Sequence, residues 1–257
     1  MCIRDSYKFN STERFHLEAE VTKQAYKVKE TSLGDPNFVN FDLDEILSDK
    51  NIEDIFNKIK LNSCSDVGDL NIPAHPETIY LTVVDKDLNS VSIINSVCYV
   101  FGSGITTNKS GILLHNRGTN FRVEHGHPNC IEGLKRPLHT IIPGMVIDKD
   151  NNTTLSYGVM GGQYQPIGQS HLIQNIIDYN LSVQEGLDLP RAFALNGLLN
   201  VENSLDDKIV KKLKSIGHKI KINKNSIGGG QCIKIDRKNG VLIGGSDPRK
   251  DGMAIGY

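Results

Sequence analysis

The sequence predicts an α+β layered sandwich, and three observations carry that expectation. Apolar residues recur at helical spacing between residues 12 and 61, short runs rich in β-branched residues dominate from Ile79 onward, and two helical segments lie between two groups of such runs. A chain of 257 residues with 38% hydrophobic and 23% charged side chains can bury a sizeable core, which excludes collagen-like, low-complexity and disordered classes.

From Thr12 to Lys29 the residues Phe15, Leu17, Val21, Ala25 and Val28 recur among charges, which predicts one amphipathic helix with these side chains inward. Gly34, Asp35 and Pro36 make a turn, and residues 44–61 predict one or two more helices. Residues 63–77 carry Gly68, Pro73 and Pro76 with few large apolar side chains, so they read as an exposed linker and a boundary. Strands are expected at 79–84, 90–100, 112–114, 139–147 and 154–159, each punctuated by Gly, Asn or Asp. Helices follow at 169–179 and from Ser182. A third is expected to start at Ser204, with Asp207 as the partner in a capping box, and to end at Gly217. Residues 219–222, 231–235 and 241–244 close the chain as strands.

Twenty-nine Lys and Arg against 30 Asp and Glu give a net charge of −1, which supplies no field for holding nucleic acid and points to small-molecule partners. No run approaches the ~18–20 uninterrupted apolar residues of a membrane helix, so no membrane partner is expected. Cys2, Cys64, Cys98, Cys130 and Cys232 are too scattered for a disulfide framework or a zinc ribbon. His115, His125, His127 and Cys130 match no zinc spacing and read as polar surface, so neither metal nor cofactor is expected. Residues 104–110 end like a phosphate loop, but Asn108 stands where a glycine is required, which leaves a turn. Lys208, Lys211, Lys212 and Lys214 form the solvated face of a helix. The opening residues show no signal peptide, and the compartment stays open.

The segment from Thr78 to Cys98 carries the most chemistry. A hairpin centred on Asp87 pairs residues whose numbers sum to twice 87, so Thr82 faces Ser92, Tyr80 faces Ile94 and Thr78 faces Ser96. Facing Cβ atoms are about 4.5–5.5 Å apart, close enough for the Ser96 hydroxyl to bond the hydroxyl or amine of Thr78. A bulge would break that register. By composition alone, Thr78 is only the first β-branched residue of a strand.

Residues 78–95, the run Gly111-Ile112-Leu113-Leu114, Lys135-Arg136-Pro137-Leu138, Gly158 with Gly161-Gly162, Ala192 after Pro190-Arg191, and Ser246-Asp247-Pro248-Arg249 before Gly256-Tyr257 together resemble the γ-glutamyltransferase family. Gly34-Asp35-Pro36-Asn37-Phe38 resembles the end of that family's large subunit. The resemblance implies an N-terminal-nucleophile hydrolase with an αββα sandwich, made as a precursor that cuts itself between Glu77 and Thr78. Residues 1–77 would then finish the large subunit and residues 78–257 would be the small catalytic subunit. It further implies Thr78 as nucleophile, Ser96 as the residue that steadies it, and Gly161 and Gly162 as backbone donors to the oxyanion. The implied partners are a glutathione-like or other acyl amide, an amine or water as acceptor, and the rest of the large subunit. The family resemblance permits a periplasmic or extracellular location.

At the places where the family holds the glutamate α-amine and α-carboxylate, this sequence has Cys98, Arg117, Asn120, His139 and Thr140. An acid is lost at Asn120 and a cation is gained at Arg117, so the resemblance implies intact hydrolytic machinery with altered acyl specificity. An amidase for another acyl group, such as a glutaryl amide, and an uncleaved, inactive scaffold are the competing readings.

Overall fold

A computed structural model describes residues 7–68, 70–72 and 77–257. In chain order the elements are α1 (Thr12–Ser32), α2 (Leu43–Ile46), α3 (Asp49–Asn57), β1 (Glu77–Val84), β2 (Ser90–Cys98), β3 (Gly144–Ile147), β4 (Thr153–Met160), α4 (Gln165–Ile173), α5 (Val183–Asp188), β5 (Ala192–Leu195), β6 (Leu198–Glu202), α6 (Asp207–Ile216), β7 (Ile220–Asn223), β8 (Gly229–Asp236) and β9 (Val241–Ser246). They form two units: residues 7–72, 117–139 and 190–225 in the first, and residues 77–116, 140–189 and 226–257 in the second.

The second unit is a stack of layers. Asp85 closes the β1–β2 turn by accepting the N–H groups of Asp87 and Asn89, each at 2.9 Å. The hairpin packs on β4 and β8 of an antiparallel sheet ordered β3-β4-β8-β9. On that larger sheet α4 covers β4, and α5 covers β8 and β9. Between the layers Tyr80, Leu155, Tyr157, Val159, Leu172, Leu187 and Cys232 are buried. Burial pushes the Cys232 thiol up to about 12, so it packs as an inert apolar group. The other face of the hairpin is apolar too: Ile79, Leu81, Val83, Val91 and Ile93 are exposed among the described residues.

The first unit wraps α1 and α6 around a sheet in which β5 pairs antiparallel and β7 parallel to β6. Phe15, Ala19, Ala194, Leu199, Val201, Leu205, Val210 and Leu213 form its core. Two ion-pair clusters tie its segments together. Asp35, whose side chain is 1% exposed, accepts the Arg136 backbone N–H and two guanidinium N–H groups at 2.8–3.1 Å. Glu30 accepts from Arg122 at 2.6 Å, while Arg122 also donates to the carbonyls of Leu70 and Asn71.

Several expectations are corrected. In α1, Val21 and Ala25 are exposed, whereas Arg14, His16, Glu20 and Thr22 are buried with Phe15 and Leu17. These polar groups have internal partners, such as Glu18 for Arg14 and the Ser65 N–H for Glu20, so the helix tolerates burial on a side that composition marks as wet. The presumed linker is partly anchored: Cys64 N–H donates to the Ile216 carbonyl and Ile72 exchanges two hydrogen bonds with Asn196. The rest of that expectation, residues 69 and 73–76, lies outside the described residues. Residues 112–114 form no strand, only a bridge from Leu113 to Thr106, and the 139–147 run shortens to Gly144–Ile147 because Pro143 has no N–H for a ladder. The cap of α6 is Asp206, not Ser204, and the capping box belongs to Ser182 and Glu185 at α5. β5 and β6 have no counterpart in the expected strands.

The Asp35–Arg136 cluster gives a pH signature. Hydrogen bonds from the Arg136 guanidinium, then from its backbone N–H, hold the Asp35 carboxyl far below its ordinary value of 3.8. The folded state therefore binds fewer protons than the unfolded one below that value, so this contribution is full above pH ~3.8 and is lost as pH falls toward the folded value. Asp35→Asn should lower stability in denaturant melts at pH 7, and the gap to wild type should narrow at pH 3.

Candidate active site

The order of the hairpin is set by its register. Ile79 faces Asn95, Tyr80 faces Ile94, Thr82 faces Ser92 and Val84 faces Ser90, as the arithmetic from Asp87 requires. At the open end the pairing shifts by one: Glu77 faces Cys98, and the break falls at Thr78. Ser96 Oγ accepts the Cys98 N–H at 3.0 Å, and Cys98 itself is buried with a positive φ of 79°. The regular register expected at this end thus gives way to a bulge, which adds one residue to the β2 side and sets Thr78 opposite Ser96 and Val97.

What seats this strand is a close approach between sheets. A Cβ on Gly158 would fall 2.3 Å from the Tyr80 ring, so only glycine lets β1 lie this close to β4. The contact is polar at its edges. Tyr80 Oη meets Ser92 Oγ at 2.7 Å, Ser92 Oγ donates to the Gly144 carbonyl at 3.0 Å, and Thr82 Oγ1 meets Ser156 Oγ at 2.6 Å across the two sheets.

Just past Gly158, β4 turns into a 3-10 turn at Gly162–Tyr164 and then α4. Gly161 (φ 127°) and Gly162 (φ 58°) both adopt conformations that favour glycine, and Gly161 passes so close to Gly228 that a Cβ would be 2.8 Å from its Cα. N–H groups at a helix start have no acceptor within the helix, so this turn offers donors of the kind an oxyanion needs. Thr78, Ser96, Cys98, Thr140, Gly161 and Gly162 all belong to the second unit.

Arg117, Asn120 and His139 belong to the first unit. Arg117 is buried, 3% exposed. Asn120 is buried, donating through Nδ2 to the Leu138 carbonyl at 3.0 Å, while its Oδ1 has no hydrogen-bond donor among the described residues. Asn129 braces the same loop, donating to the Asn120 carbonyl and accepting the Leu138 N–H. His139 is exposed and Thr140 half-buried. Of the loop histidines, His127 accepts the Asn129 N–H through Nδ1 at 3.0 Å. Among the described residues the group with metal-ligating atoms close together is His16, Glu20 and His218, which the sequence reading passed over; its only signal was the four-residue spacing of His16 and Glu20.

The family described as Gamma-glutamyltranspeptidase matches residues 3–257. A glutathione hydrolase-like YwrD proenzyme of Bacillus subtilis (strain 168) is 33% identical over 99% of this chain and 50% of its own length. A glutathione hydrolase proenzyme of Escherichia coli (strain K12) is 33% identical over 98% of this chain and 46% of its own length. The chain thus spans about half the length of the curated relatives it matches. A cephalosporin acylase from Bacillus halodurans superposes with a TM-score of 0.85 at 32% identity, covering 99% of this chain and 48% of that one.

The Gly158–Tyr80 contact is open to test. Gly158→Ala should cost about 1–3 kcal/mol in denaturant unfolding, because a methyl group has no room against the ring. Adding Tyr80→Leu should recover part of the loss. Equal stability of wild type and Gly158→Ala would show that the sheets can separate freely.

Proposed function

This chain belongs to the Gamma-glutamyltranspeptidase family, and from that premise we propose that it is the C-terminal part of a self-cleaving amidohydrolase and acyltransferase with Thr78 as its N-terminal nucleophile. Its fold is the α+β layered fold of N-terminal-nucleophile hydrolases. The observation that carries the proposal is the position of Thr78, at a register break in β1 and two residues from the ring that Gly158 pins. A peptide bond in a regular ladder is held on both sides. The bond before Thr78 lies where that ladder loses its register.

In this reading residues 1–77 end the large subunit and residues 78–257 form the small one. The Thr78 hydroxyl attacks the Glu77 carbonyl, the C–N bond breaks, and water releases the resulting ester to leave a Glu77 carboxylate and a free Thr78 amine. An α-amine has an unperturbed pKa of about 7.7–8.0, so near neutral pH a useful fraction is free base beside the hydroxyl it deprotonates. The β-branch of Thr78 restricts χ1 and keeps that hydroxyl in few orientations. Attack on a substrate amide gives an oxyanion that the Gly161 and Gly162 N–H groups would stabilise, then an acyl ester on Thr78 that passes to water or an amine. Ser96, tied to the Cys98 N–H, holds the facing strand in place.

A second reading of the acyl group is favoured by two side chains. Arg117 is a buried guanidinium, suited to a carboxylate through paired N–H bonds. Asn120 offers a neutral amide oxygen where the family has an acid, and this holds an ammonium less strongly. Cys98, His139 and Thr140 stand at the other positions that the resemblance assigns to the substrate. The likeness to a cephalosporin acylase fits an acyl group other than γ-glutamyl.

Two results are expected of the full-length precursor. Wild type should yield two chains, the smaller starting at Thr78, and Thr78→Ala should remain one uncut chain by intact mass; a different start, or a cut in the Ala variant, overturns the nucleophile. A glutaryl amide should be cleaved with a kcat/KM on the order of tenfold to a hundredfold above that of the γ-glutamyl amide of the same amine, the scale of one lost charge-assisted bond, and Arg117→Ala should erase the difference. A clear preference for the γ-glutamyl amide would restore the plain family specificity.

A further inference from the structure

We propose that His16, Glu20 and His218 form a zinc-binding site in the first unit, independent of the acyl-transfer reading. His16 and Glu20 are one turn apart on α1, so their side chains rise from the same face. His218 follows the left-handed cap Gly217 (φ 110°) at the end of α6, a turn that brings residue 218 back against α1. The three are 0%, 0% and 5% exposed, and one ligand atom from each lies within 4.8 Å of the others.

The hydrogen bonds decide which lone pairs are available. His16 Nε2 is 2.8 Å from the Lys60 carbonyl, which can only accept, so Nε2 carries the proton and Nδ1 the lone pair. That lone pair faces His218 Nε2 at 2.8 Å. A histidine whose second nitrogen donates to a backbone carbonyl is oriented as zinc-bound histidines are, with tautomer and ring plane already set. Glu20 is held in the same way: one carboxylate oxygen accepts the Ser65 N–H at 2.9 Å, and the other accepts Lys23 Nζ at 2.6 Å. Each oxygen keeps a further lone pair. Two imidazoles and one carboxylate form a donor set that zinc takes with a fourth position left to water.

Binding requires His218 to move. The rings now point nitrogen to nitrogen, 5.1 Å between centroids, and bonds of ~2.0–2.1 Å meeting at about 109° require Nε2 to swing roughly 2 Å sideways off the His16 lone pair, with the His218 proton moved to Nδ1. His218 borders a cavity of about 470 Å³, also lined by Lys23, Cys64 and Ser65, which gives the ring room to do so. The Lys23 ammonium opposes an incoming cation and places the affinity below that of an all-histidine or thiolate site.

The test uses the whole chain, freed of metal by chelator and titrated with zinc against a chromophoric competitor, with cobalt as a spectroscopic substitute. One equivalent of zinc should bind, cobalt should give the intense visible bands of a four-coordinate site, and His218→Gln or Glu20→Gln should weaken zinc binding on the order of a hundredfold. His125→Gln, at an exposed histidine, should leave it unchanged. Because replacing a buried imidazole also disturbs packing, the melting temperature of the unaltered chain supplies a second measure: it should rise steadily with the logarithm of zinc concentration. Zinc binding that is substoichiometric, that survives both substitutions, or that leaves the melting temperature unmoved would overturn the site.

Discussion

The face of the Tyr80 ring against the missing side chain of Gly158 is the constraint from which the second unit takes its geometry. It sets how near the hairpin comes to the larger sheet. That separation places the Thr82 and Ser156 hydroxyls within bonding distance and lets Ser92 link Tyr80 to the Gly144 carbonyl. Tyr80 is two residues from Thr78 and Gly158 is three from Gly161, so one contact sets both the strand that carries the proposed nucleophile and the turn that carries the proposed donors. A second glycine pair, Gly161 against Gly228, fixes the path of that turn from the other side.

The hairpin was legible because its information is local: a turn rich in Asp and Asn fixes a centre, and a period of two does the rest. The bulge at Thr78 was not, since nothing in the types of residues 77–79 marks where a ladder loses step. Short strands such as β5 and β6 escaped because four or five residues around Asn196 and Gly197 give too little pattern to tell a strand from a loop. Helix α1 misled for a different reason. Its buried side is chosen by partners distant in sequence, the Lys60 carbonyl, the Ser65 N–H and His218, and periodicity within the helix cannot report them.

Three of the motifs that carried the family resemblance are braces. Asp35 and Arg136 come from two of them and meet in one cluster. In Ser246-Asp247-Pro248-Arg249, the Asp247 carboxylate accepts the Gly230 N–H at 2.8 Å and the Arg249 N–H at 3.0 Å, while the Arg249 guanidinium donates to the carbonyls of Leu187 and Leu189. Braces tolerate little change because each serves several buried backbone groups at once. The departures from the family pattern fall elsewhere, at Cys98, Arg117, Asn120, His139 and Thr140, the positions proposed above for the substrate.

The first unit is woven from stretches on both sides of residue 77. Its sheet and α6 come from after that residue, while α1, Glu30, Asp35 and Ile72 come from before it, and the Glu30–Arg122, Asp35–Arg136 and Ile72–Asn196 contacts all cross the divide. A scission there would remove a covalent link without freeing either product. The shorter fragment would keep two of that eight-residue core, Phe15 and Ala19, and the longer one the other six, and each would carry charges whose counterions reside on the other. Nicking would convert one folding problem into a permanent partnership, and a chain assembled from separately synthesised halves would have to build that core between two molecules rather than inherit it.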